Sequence, residues 1–348
     1  MPEVQRPRYV EIIKIPGERT AGYRAWIDNV TQDVREKLPF SGPADMGITV
    51  GSGLGGIVDA LQLSDTVHLS YERLGLPVGS NSNHVKEFVA GVNSAGKKII
   101  VAKGRTHAYE IPVEGFNTYT WGHLSQMELA SGYLAVLNEI GVNNMIITCA
   151  AGGINHPLSP DKLPPFEIDT LPVIGLISAD LNVGAYQSPN MGFYKGDGND
   201  FFGLRDSDQS LIEKFRDGMR VIGGGEVPGI YYFTSPSTPS FEDIGTIHYV
   251  AINNGQAVGM SYGYEKAWLS SASNIKKFAG VVVITNPQQL VFLDDSKNKG
   301  PISVAELRLH YPHEFKKAFV ATDAEVQEKG ALAVDKLGRC LSQMAIQL

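Results

Sequence analysis

A glycine-rich stretch that contains one serine, Ala44–Ala60 (ADMGITVGSGLGGIVDA), has the composition of an anion-binding turn. It reads as a short buried strand, a loop around Ser52 and the first turns of a helix. Glycine accepts positive φ and lets the backbone pass close to a ligand. The amide hydrogens and the dipole at a helix start favour an anion. The stretch therefore predicts that an anion binds at this turn, and it favours phosphate.

The same loop satisfies the dinucleotide-binding pattern G-x-G-x-x-G with Gly51, Gly53 and Gly56. Glu72 follows at roughly the distance expected of a ribose-binding acid. On its own this pattern has little specificity. A nicotinamide-dependent dehydrogenase, another kind of phosphate loop and a plain tight turn are all open readings of it.

A second group of polar residues lies in GRTHAYE, where Arg105, His107 and Tyr109 occupy alternate positions. Alternate residues of an extended chain share one face, so these side chains would form a cationic wall. Arginine and histidine suit a phosphate, and tyrosine can bind a sugar hydroxyl. The alternative interpretation is a solvated edge strand.

Four shorter motifs follow predicted strands or loops. Small residues after a strand let backbone amides face a ligand, a phenylalanine beside a carboxylate can stack on a planar base, and a carboxamide can both donate and accept. These motifs are Ala150–Gly153, Phe241-Glu242, Met260-Ser261 and Thr285-Asn286. Taken singly, each is equally typical of a packing turn, a surface loop or a helix cap.

Composition narrows the class of protein. The chain has 348 residues, of which 43% are hydrophobic and 19% charged, and a net charge of -7. This charge argues against a protein that neutralises many nucleic-acid phosphates. Cys149 and Cys340 show neither metal-type nor redox-type spacing. Without an apolar signal core or a run of transmembrane length, we expect a cytoplasmic protein with no metal, nucleic-acid or membrane partner.

The order of elements predicts an α/β fold. Strands and helices alternate, and apolar runs such as MIIT and VVVIT suit a central mixed sheet that is covered on both faces. We expect one domain over 1–348, with an N-terminal helix at 17–38 and irregular segments at 156–203 and 287–320. The polar motifs follow strands, where open α/β sheets place ligands. Further expected elements are helices at 54–63, 125–140 and 323–344 and a strand at 281–285.

Taken together and in this order, GSGLGG, GRTHAYE, AAGGIN, PSFE, VGMS and ITN resemble the trimeric purine nucleoside phosphorylases. The resemblance runs from about Met46 to the C-terminal helix. It implies a mixed sheet that is partly closed into a barrel, surrounded by helices, and a homotrimeric assembly. It also implies reversible phosphorolysis of a purine (deoxy)ribonucleoside to the free base and (deoxy)ribose 1-phosphate, with phosphate as co-substrate and no metal or organic cofactor.

The resemblance assigns roles to individual residues. Those implied for phosphate are Ser52, His84, Arg105, His107, the amide of Ala150, and Ser261. Those implied for the nucleoside are Tyr109, Met260 and Asp323 at the ribose, Phe241, Glu242 and Asn286 at the base, and Phe202 lent by a neighbouring subunit. Asn286, Glu242 and His107 are the implied catalytic residues. A carboxylate at Glu242 suits the N1–H of hypoxanthine and guanine, which adenine lacks, so inosine and guanosine are the expected substrates.

Several positions depart from the family pattern. Cys149 replaces an asparagine, Pro287 a lysine and Asp323 the histidine near the ribose 5′-hydroxyl, while Ile111-Pro112 replaces a glycine. YGYEKAW follows VGMS in place of TVPE. Two further functions therefore remain open: a phosphorylase for another nucleoside, such as methylthioadenosine, and a non-catalytic nucleoside-binding protein on the same scaffold.

Overall fold

The computed structural model describes residues 19–79, 85–107, 110–111, 129–155, 171–182, 205–234, 244–271, 274–292, 301–303 and 323–348. The strands in these ranges are β1 (Met46–Val50), β2 (Ser64–Ser70), β3 (Glu87–Val92), β4 (Lys98–Lys103), β5 (Asn144–Asn155), β6 (Val173–Asn182), β7 (Gly229–Thr234), β8 (Ala257–Gly259), β9 (Lys277–Phe292) and β10 (Pro301–Ser303). The helices are α1 (Arg19–Arg35), α2 (Ile57–Ala60), α3 (Tyr71–Leu74), α4 (Gly132–Ile140), α5 (Gln209–Val221), α6 (Ile244–Ile252), α7 (Tyr262–Ser271) and α8 (Asp323–Ile346).

The strands form one mixed sheet in the order β10-β9-β6-β7-β8-β5-β1-β4-β3-β2. An additional pairing of β5 with β9 closes the ring β5-β9-β6-β7-β8, so five strands make a barrel and the others extend from it. β1 runs parallel to β4 and β5, whereas β3 is antiparallel to β4. The predicted α/β fold with a mixed, partly barrel-like sheet is confirmed.

Both faces of the sheet are covered because its strands are apolar on both sides. In β4, Ile100 and Ala102 join the core formed with α1 and α4, while Ile99 and Val101 join the core formed with α2, α5 and α8. This alternation follows from the two-residue period of a strand. The terminal helix predicted at 323–344 is confirmed as α8, and the one predicted at 17–38 is confirmed as the shorter α1.

Two segments expected to be irregular contain strands. β6 lies within 156–203, and β9 continues past Thr285 as far as Phe292, where it pairs with β10. The strand expected at 281–285 is therefore longer than predicted, although it contains Pro287, which cannot donate to a ladder. Residues 286–289 stay paired with β5 up to Asn155, and this pairing lengthens the barrel wall.

The helix expected at 54–63 is wrong in extent, because α2 is a single turn of four residues. Gln62 then adopts a φ of 52° and the chain enters β2. Helices α6 and α7 were not predicted from the sequence. Among the helices of the described ranges, none has both the length and the apolar character needed to cross a bilayer. The single-domain assignment to 1–348 also concerns residues outside these ranges and stays a prediction.

Candidate active site

Three chain segments, two loops and one part of a strand, lie side by side at one edge of the sheet because they belong to neighbouring strands. β1 lies between β4 and β5 and is parallel to both, with Val50 opposite Lys103 and Thr49 opposite Ile147. The chain segments that follow these residues therefore leave the sheet side by side. They are the glycine loop after β1, the Arg105 segment after β4, and the Cys149-Ala150 part of β5.

The glycine loop touches the other two segments at Gly51. A Cβ atom at this position would lie 3.0 Å from Nη1 of Arg105, 3.1 Å from Cα of Cys149 and 3.2 Å from the backbone nitrogen of Ala150. Gly53 adopts a φ of 74°, which favours glycine. Half-buried Ser52 stands between these two glycines. The loop thus brings a hydroxyl, a guanidinium and a backbone amide together, as an anion site requires.

Arg105 is buried, with 2% of its surface exposed, and does not lie in a strand. β4 ends at Lys103, and Gly104 turns the chain with a φ of 86°. The solvated edge strand is therefore wrong for Arg105 and His107. Tyr109 lies outside the described residues, so the shared face of all three side chains stays a prediction. Nη2 of Arg105 donates to the carbonyl of Thr148 at 2.6 Å and to Oγ1 of Thr49 at 3.0 Å.

Glu265 binds the guanidinium from the side away from the glycine loop. Its carboxylate accepts from Nε of Arg105 at 2.7 Å and from Nη2 at 2.8 Å, and it also accepts from the hydroxyl of Tyr133. Burial lowers the pKa of Arg105, but the adjacent Glu265 outweighs it, and the pKa lies well above its usual value. Arg105 therefore stays charged, with Nη1 turned toward Gly51.

Glu265 was missed by the sequence reasoning, although a signal for it exists. It is the fourth residue after Ser261, the same place that the glutamate of TVPE takes in the family motif. The YGYEKAW segment therefore keeps the carboxylate. It forms the start of α7, whose first turn places fully buried Glu265 beside Arg105. The nitrogen of Glu265 donates to the carbonyl of Ser261 at 3.3 Å.

His107 is the second buried polar side chain of this segment, with 6% of its surface exposed. Burial first, and then the positive charges of Arg105 and Lys86, lower the pKa of His107 to about 4. Its imidazole is therefore neutral at neutral pH. A neutral ring can donate one N–H to an anion and accept at its other nitrogen.

Asn286 and Ser261 reach the site from the barrel strands. Ala151 pairs with Ile284 while Gly152 pairs with Asn286, so Thr285 is an extra residue in β9. Such a bulge re-aims the neighbouring side chain. Asn286 is 8% exposed, and its Oδ1 lies 3.1 Å from Oγ1 of Thr285. The strand end expected at this point is a bulge inside a longer strand.

β8 places Met260 and Ser261 near Ala150. A Cβ atom at Gly259, the last residue of β8, would lie 3.4 Å from the carbonyl oxygen of Ala150. Ser261 is 7% exposed and Met260 is half-buried. The Ser52 loop, Arg105 and Ala150 thus meet at Gly51, and His107 lies near enough to Arg105 for that charge to lower its pKa. Met260 and Ser261 follow β8, and Asn286 lies on β9; both strands pair with β5.

Helix α8 supports the glycine loop from the outside. A Cβ atom at Gly330 would lie 3.1 to 3.2 Å from backbone atoms of Gly53, and one at Gly56 would lie 3.0 Å from Val334. The helix starts at Asp323. The other predicted site residues, His84, Tyr109, Phe202, Phe241 and Glu242, lie outside the described residues.

The dinucleotide-binding interpretation of the glycine loop is overturned by this geometry. In a dinucleotide-binding unit the glycine loop opens a full helix, and the next strand lies beside the first. Here α2 has four residues, and β2 is separated from β1 by β4 and β3. Glu72 lies on α3. Cys149 is buried, and burial raises the pKa of its thiol to about 12, so it is not a nucleophile. Within the described ranges no group of three or more His, Cys, Asp or Glu residues is placed to hold a metal ion.

Comparison with known proteins gives relatives in sequence and in fold. No protein-family model matches the chain. Purine nucleoside phosphorylase 1 of Geobacillus stearothermophilus is 27% identical over 247 residues, which cover 68% of this chain and 76% of that protein. Purine nucleoside phosphorylase of Bos taurus is 25% identical over 222 residues, 62% of this chain and 67% of that protein.

Solved structures share the fold at lower identity. A schistosoma purine nucleoside phosphorylase in complex with hypoxanthine superposes with a TM-score of 0.65 at 17% identity, and the match covers 92% of this chain and 96% of that one. The Schistosoma mansoni enzyme in complex with inosine gives a TM-score of 0.65 at 16% identity, covering 93% and 96%.

Proposed function

In sequence and fold the chain is a relative of the purine nucleoside phosphorylases, and we propose that it catalyses the reversible phosphorolysis of purine nucleosides. A purine (deoxy)ribonucleoside and inorganic phosphate give the free base and (deoxy)ribose 1-phosphate. The observation that carries the proposal is that Arg105 and Ala150 meet the Ser52 loop at Gly51. A Cβ atom added there would lie 3.0 Å from Nη1 of Arg105 and 3.2 Å from the amide nitrogen of Ala150. The proposal needs no metal or organic cofactor.

Phosphate is the anion that this cluster suits. A guanidinium donates strong, directional bonds to phosphate oxygens, and Arg105 is held charged by Glu265 at 2.7 Å. The Ala150 amide, the hydroxyls of Ser52 and Ser261, and neutral His107 add donors of fixed direction. In the proposed complex His84, which lies outside the described residues, completes the set. The cluster holds phosphate next to the ribose, and this proximity lowers the barrier.

The reaction separates charge in a way that these residues can stabilise. When the glycosidic bond breaks, positive charge grows on the sugar and negative charge grows on the purine. The phosphate dianion attacks C1′ and stabilises the first charge. A hydrogen bond donated by the carboxamide of Asn286 stabilises the second, while the carboxylate of Glu242 accepts from N1–H and orients the base. Stabilisation that grows with the charge lowers the transition state more than the ground state.

The remaining nucleoside contacts are also proposals. Tyr109 and Met260 hold the ribose, Phe241 packs on the base, and Phe202 from a neighbouring subunit closes the pocket of a homotrimer. Glu242 favours 6-oxopurines, so we propose inosine and guanosine as substrates. Among the fold relatives, the Schistosoma mansoni enzyme is solved with adenosine and also with inosine, so the base preference has to be measured. A cytoplasmic location is proposed as well.

The experiment is a substrate panel on purified protein. Release of base from inosine, guanosine, adenosine and methylthioadenosine is measured with and without phosphate. The proposal predicts phosphate-dependent turnover of inosine and guanosine and little turnover of adenosine. Turnover of methylthioadenosine alone would support phosphorolysis as the reaction but contradict inosine and guanosine as the substrates. Binding of nucleoside and phosphate without turnover of any substrate would contradict the proposal and indicate a binding protein.

A further inference from the structure

A buried ion pair lies beside His107 and has no role in the proposed reaction. Nζ of Lys86 donates to Oε2 of Glu110 at 2.7 Å, and the two side chains are 6% and 1% exposed. Lysine and glutamate are rarely buried unless they are paired. Removing such a pair from water costs several kcal/mol per ion, so the pair calls for an explanation beyond stability.

Glu110 connects this pair to the backbone of His107. Its Oε1 accepts from the nitrogen of His107 at 3.3 Å, and its own nitrogen donates to the carbonyl of His107 at 3.0 Å. The segment is tied down again at Thr106, whose hydroxyl donates to the carbonyl of Pro77 at 2.6 Å. The backbone of His107 is therefore held by Glu110, whose side chain is fixed by Lys86.

The backbone of Lys86 is itself held by secondary structure. It directly precedes β3, and its carbonyl accepts from the nitrogen of Tyr71, the first residue of α3, at 2.9 Å. The pair thus ties the start of β3 to the turn after β4. These strands are antiparallel neighbours, with Glu87 opposite Lys103, so the turn that carries His107 is braced against the sheet.

The charges around His107 are arranged so that the ring gains no proton. Two cations act on the ring: Arg105, which is paired with Glu265, and Lys86, which is paired with Glu110. Each cation disfavours an imidazolium, and burial acts in the same direction. Loss of Lys86 would remove one cation and leave Glu110 unpaired, and both changes favour a protonated His107.

We propose that Lys86 is a positioning residue of the anion site: through Glu110 it fixes the backbone of His107, and with it the place of the imidazole beside the proposed phosphate. This role rests on the proposed function, since it matters only if phosphate binds there. Lys86 itself does not touch the reacting atoms.

The test compares Lys86→Met with Lys86→Arg, which keeps the charge. Lys277→Met is the matched control, because it removes a lysine from the partly exposed pair with Asp208, 3.7 Å apart, outside the site. The first readout is the pKa of the His107 ring, followed by NMR of histidine-labelled protein and assigned with His107→Asn. We expect it to rise above about 4 in Lys86→Met, while burial and Arg105 still hold it below 6.5, and to stay at its wild-type value in Lys86→Arg and the control.

The second readout is steady-state kinetics. We expect the KM for phosphate to rise roughly tenfold in Lys86→Met, with a smaller change in the KM for inosine, because only the anion side is disturbed. Lys86→Arg should recover most of the loss. If Lys86→Met does not fold, Lys86→Gln replaces it, because its amide can still donate to Glu110.

Two failures are distinguishable. An unchanged His107 pKa in Lys86→Met, or equal rises in both KM values without a pKa change, would overturn the role of Lys86. If Lys86→Met shows the pKa response but the wild-type protein phosphorolyses no nucleoside, the proposed function is refuted, and with it the claim that Lys86 serves phosphate.

Discussion

The carboxylate of Glu265 binds Arg105 through two parallel hydrogen bonds, at 2.7 Å to Nε and 2.8 Å to Nη2, with both side chains buried. This geometry leaves Nη1 as the part of the guanidinium that faces the glycine loop. The pair fixes both the charge and the direction of Arg105. Its removal is therefore the most direct disturbance of the proposed phosphate contact that leaves Arg105 in place.

Glu265→Gln should both destabilise the protein and weaken phosphate binding. Removal of one partner leaves the other charge buried and unpaired, which costs roughly 3 kcal/mol or more. Denaturant unfolding measures this loss, and the KM for phosphate should rise at the same time. Glu213→Gln is the control, because it breaks the exposed pair with Arg216, a type of pair worth about 1 kcal/mol or less. Equal effects of the two variants would contradict the role given to Glu265.

Gly51→Ala should impair phosphate binding more than stability. The added Cβ would lie 3.0 Å from Arg105 Nη1 and 3.2 Å from the nitrogen of Ala150, so both donors must shift. We expect the KM for phosphate to rise roughly tenfold or more. Gly55→Ala in the same loop meets only the Cε atom of Lys103, at 3.3 Å, and should bind phosphate normally. Normal phosphate kinetics of Gly51→Ala would show that the anion binds elsewhere.

Gly330→Ala tests the support that α8 gives to the glycine loop. In an exposed helix this change gains about 1 kcal/mol. Here the new Cβ meets backbone atoms of Gly53 at 3.1 to 3.2 Å, and overpacking costs typically 1–3 kcal/mol. The free energy of unfolding should therefore fall, in thermal or denaturant unfolding. A gain in stability would mean that α8 does not press on the loop.

Protonation of His107 should lower stability in acid. Its pKa is lowered from 6.5 to about 4 in the folded state, so between these values the unfolded state binds the proton and the folded state does not. The free energy of unfolding therefore falls as the pH drops from 6.5 to 4, by about 3 kcal/mol in all. His107→Asn should lose this part of the pH dependence. The control variant His68→Asn, at an exposed histidine, should keep this pH dependence. The same pH profile in both variants would show that His107 is not its source.

Asp323→Ala tests the predicted 5′ end of the ribose pocket. Asp323 begins α8, the helix whose Gly330 lies against the glycine loop. If its carboxylate accepts from the ribose 5′-hydroxyl, the KM for inosine should rise more than the KM for 5′-deoxyinosine. Equal changes for both nucleosides would remove Asp323 from the pocket.

Sequence predicted the parts of the site that depend on local composition. The turn at Ser52 needs glycine because Gly51 lies close to Arg105 and Ala150 and Gly53 has a positive φ. Both glycines are visible in the sequence of the loop. Alternation of apolar residues predicted the covered sheet. The partnership of Arg105 and Glu265 spans 160 residues; the spacing from Ser261 points to the carboxylate of Glu265, but no local pattern pairs it with Arg105. The bulge at Thr285 depends in the same way on pairing between β5 and β9.

Errors in the predicted elements also have physical causes. Apolar residues after the glycine loop fit a helix, yet Gly330 and Val334 of α8 occupy the space beside it and α2 stops after one turn. The apolar run predicted a strand only at 281–285, but closure of the barrel supplies pairing partners beyond it. Tertiary packing overrides local preference in both cases.

The central claim is that phosphate held beside Gly51 cleaves a purine nucleoside. The most direct measurement is ³¹P NMR of purified protein with inosine and inorganic phosphate, with hypoxanthine followed in parallel. The account predicts ribose 1-phosphate and hypoxanthine in equal amounts. Hypoxanthine accompanied by free ribose, or no hypoxanthine with phosphate and inosine both bound, would contradict it.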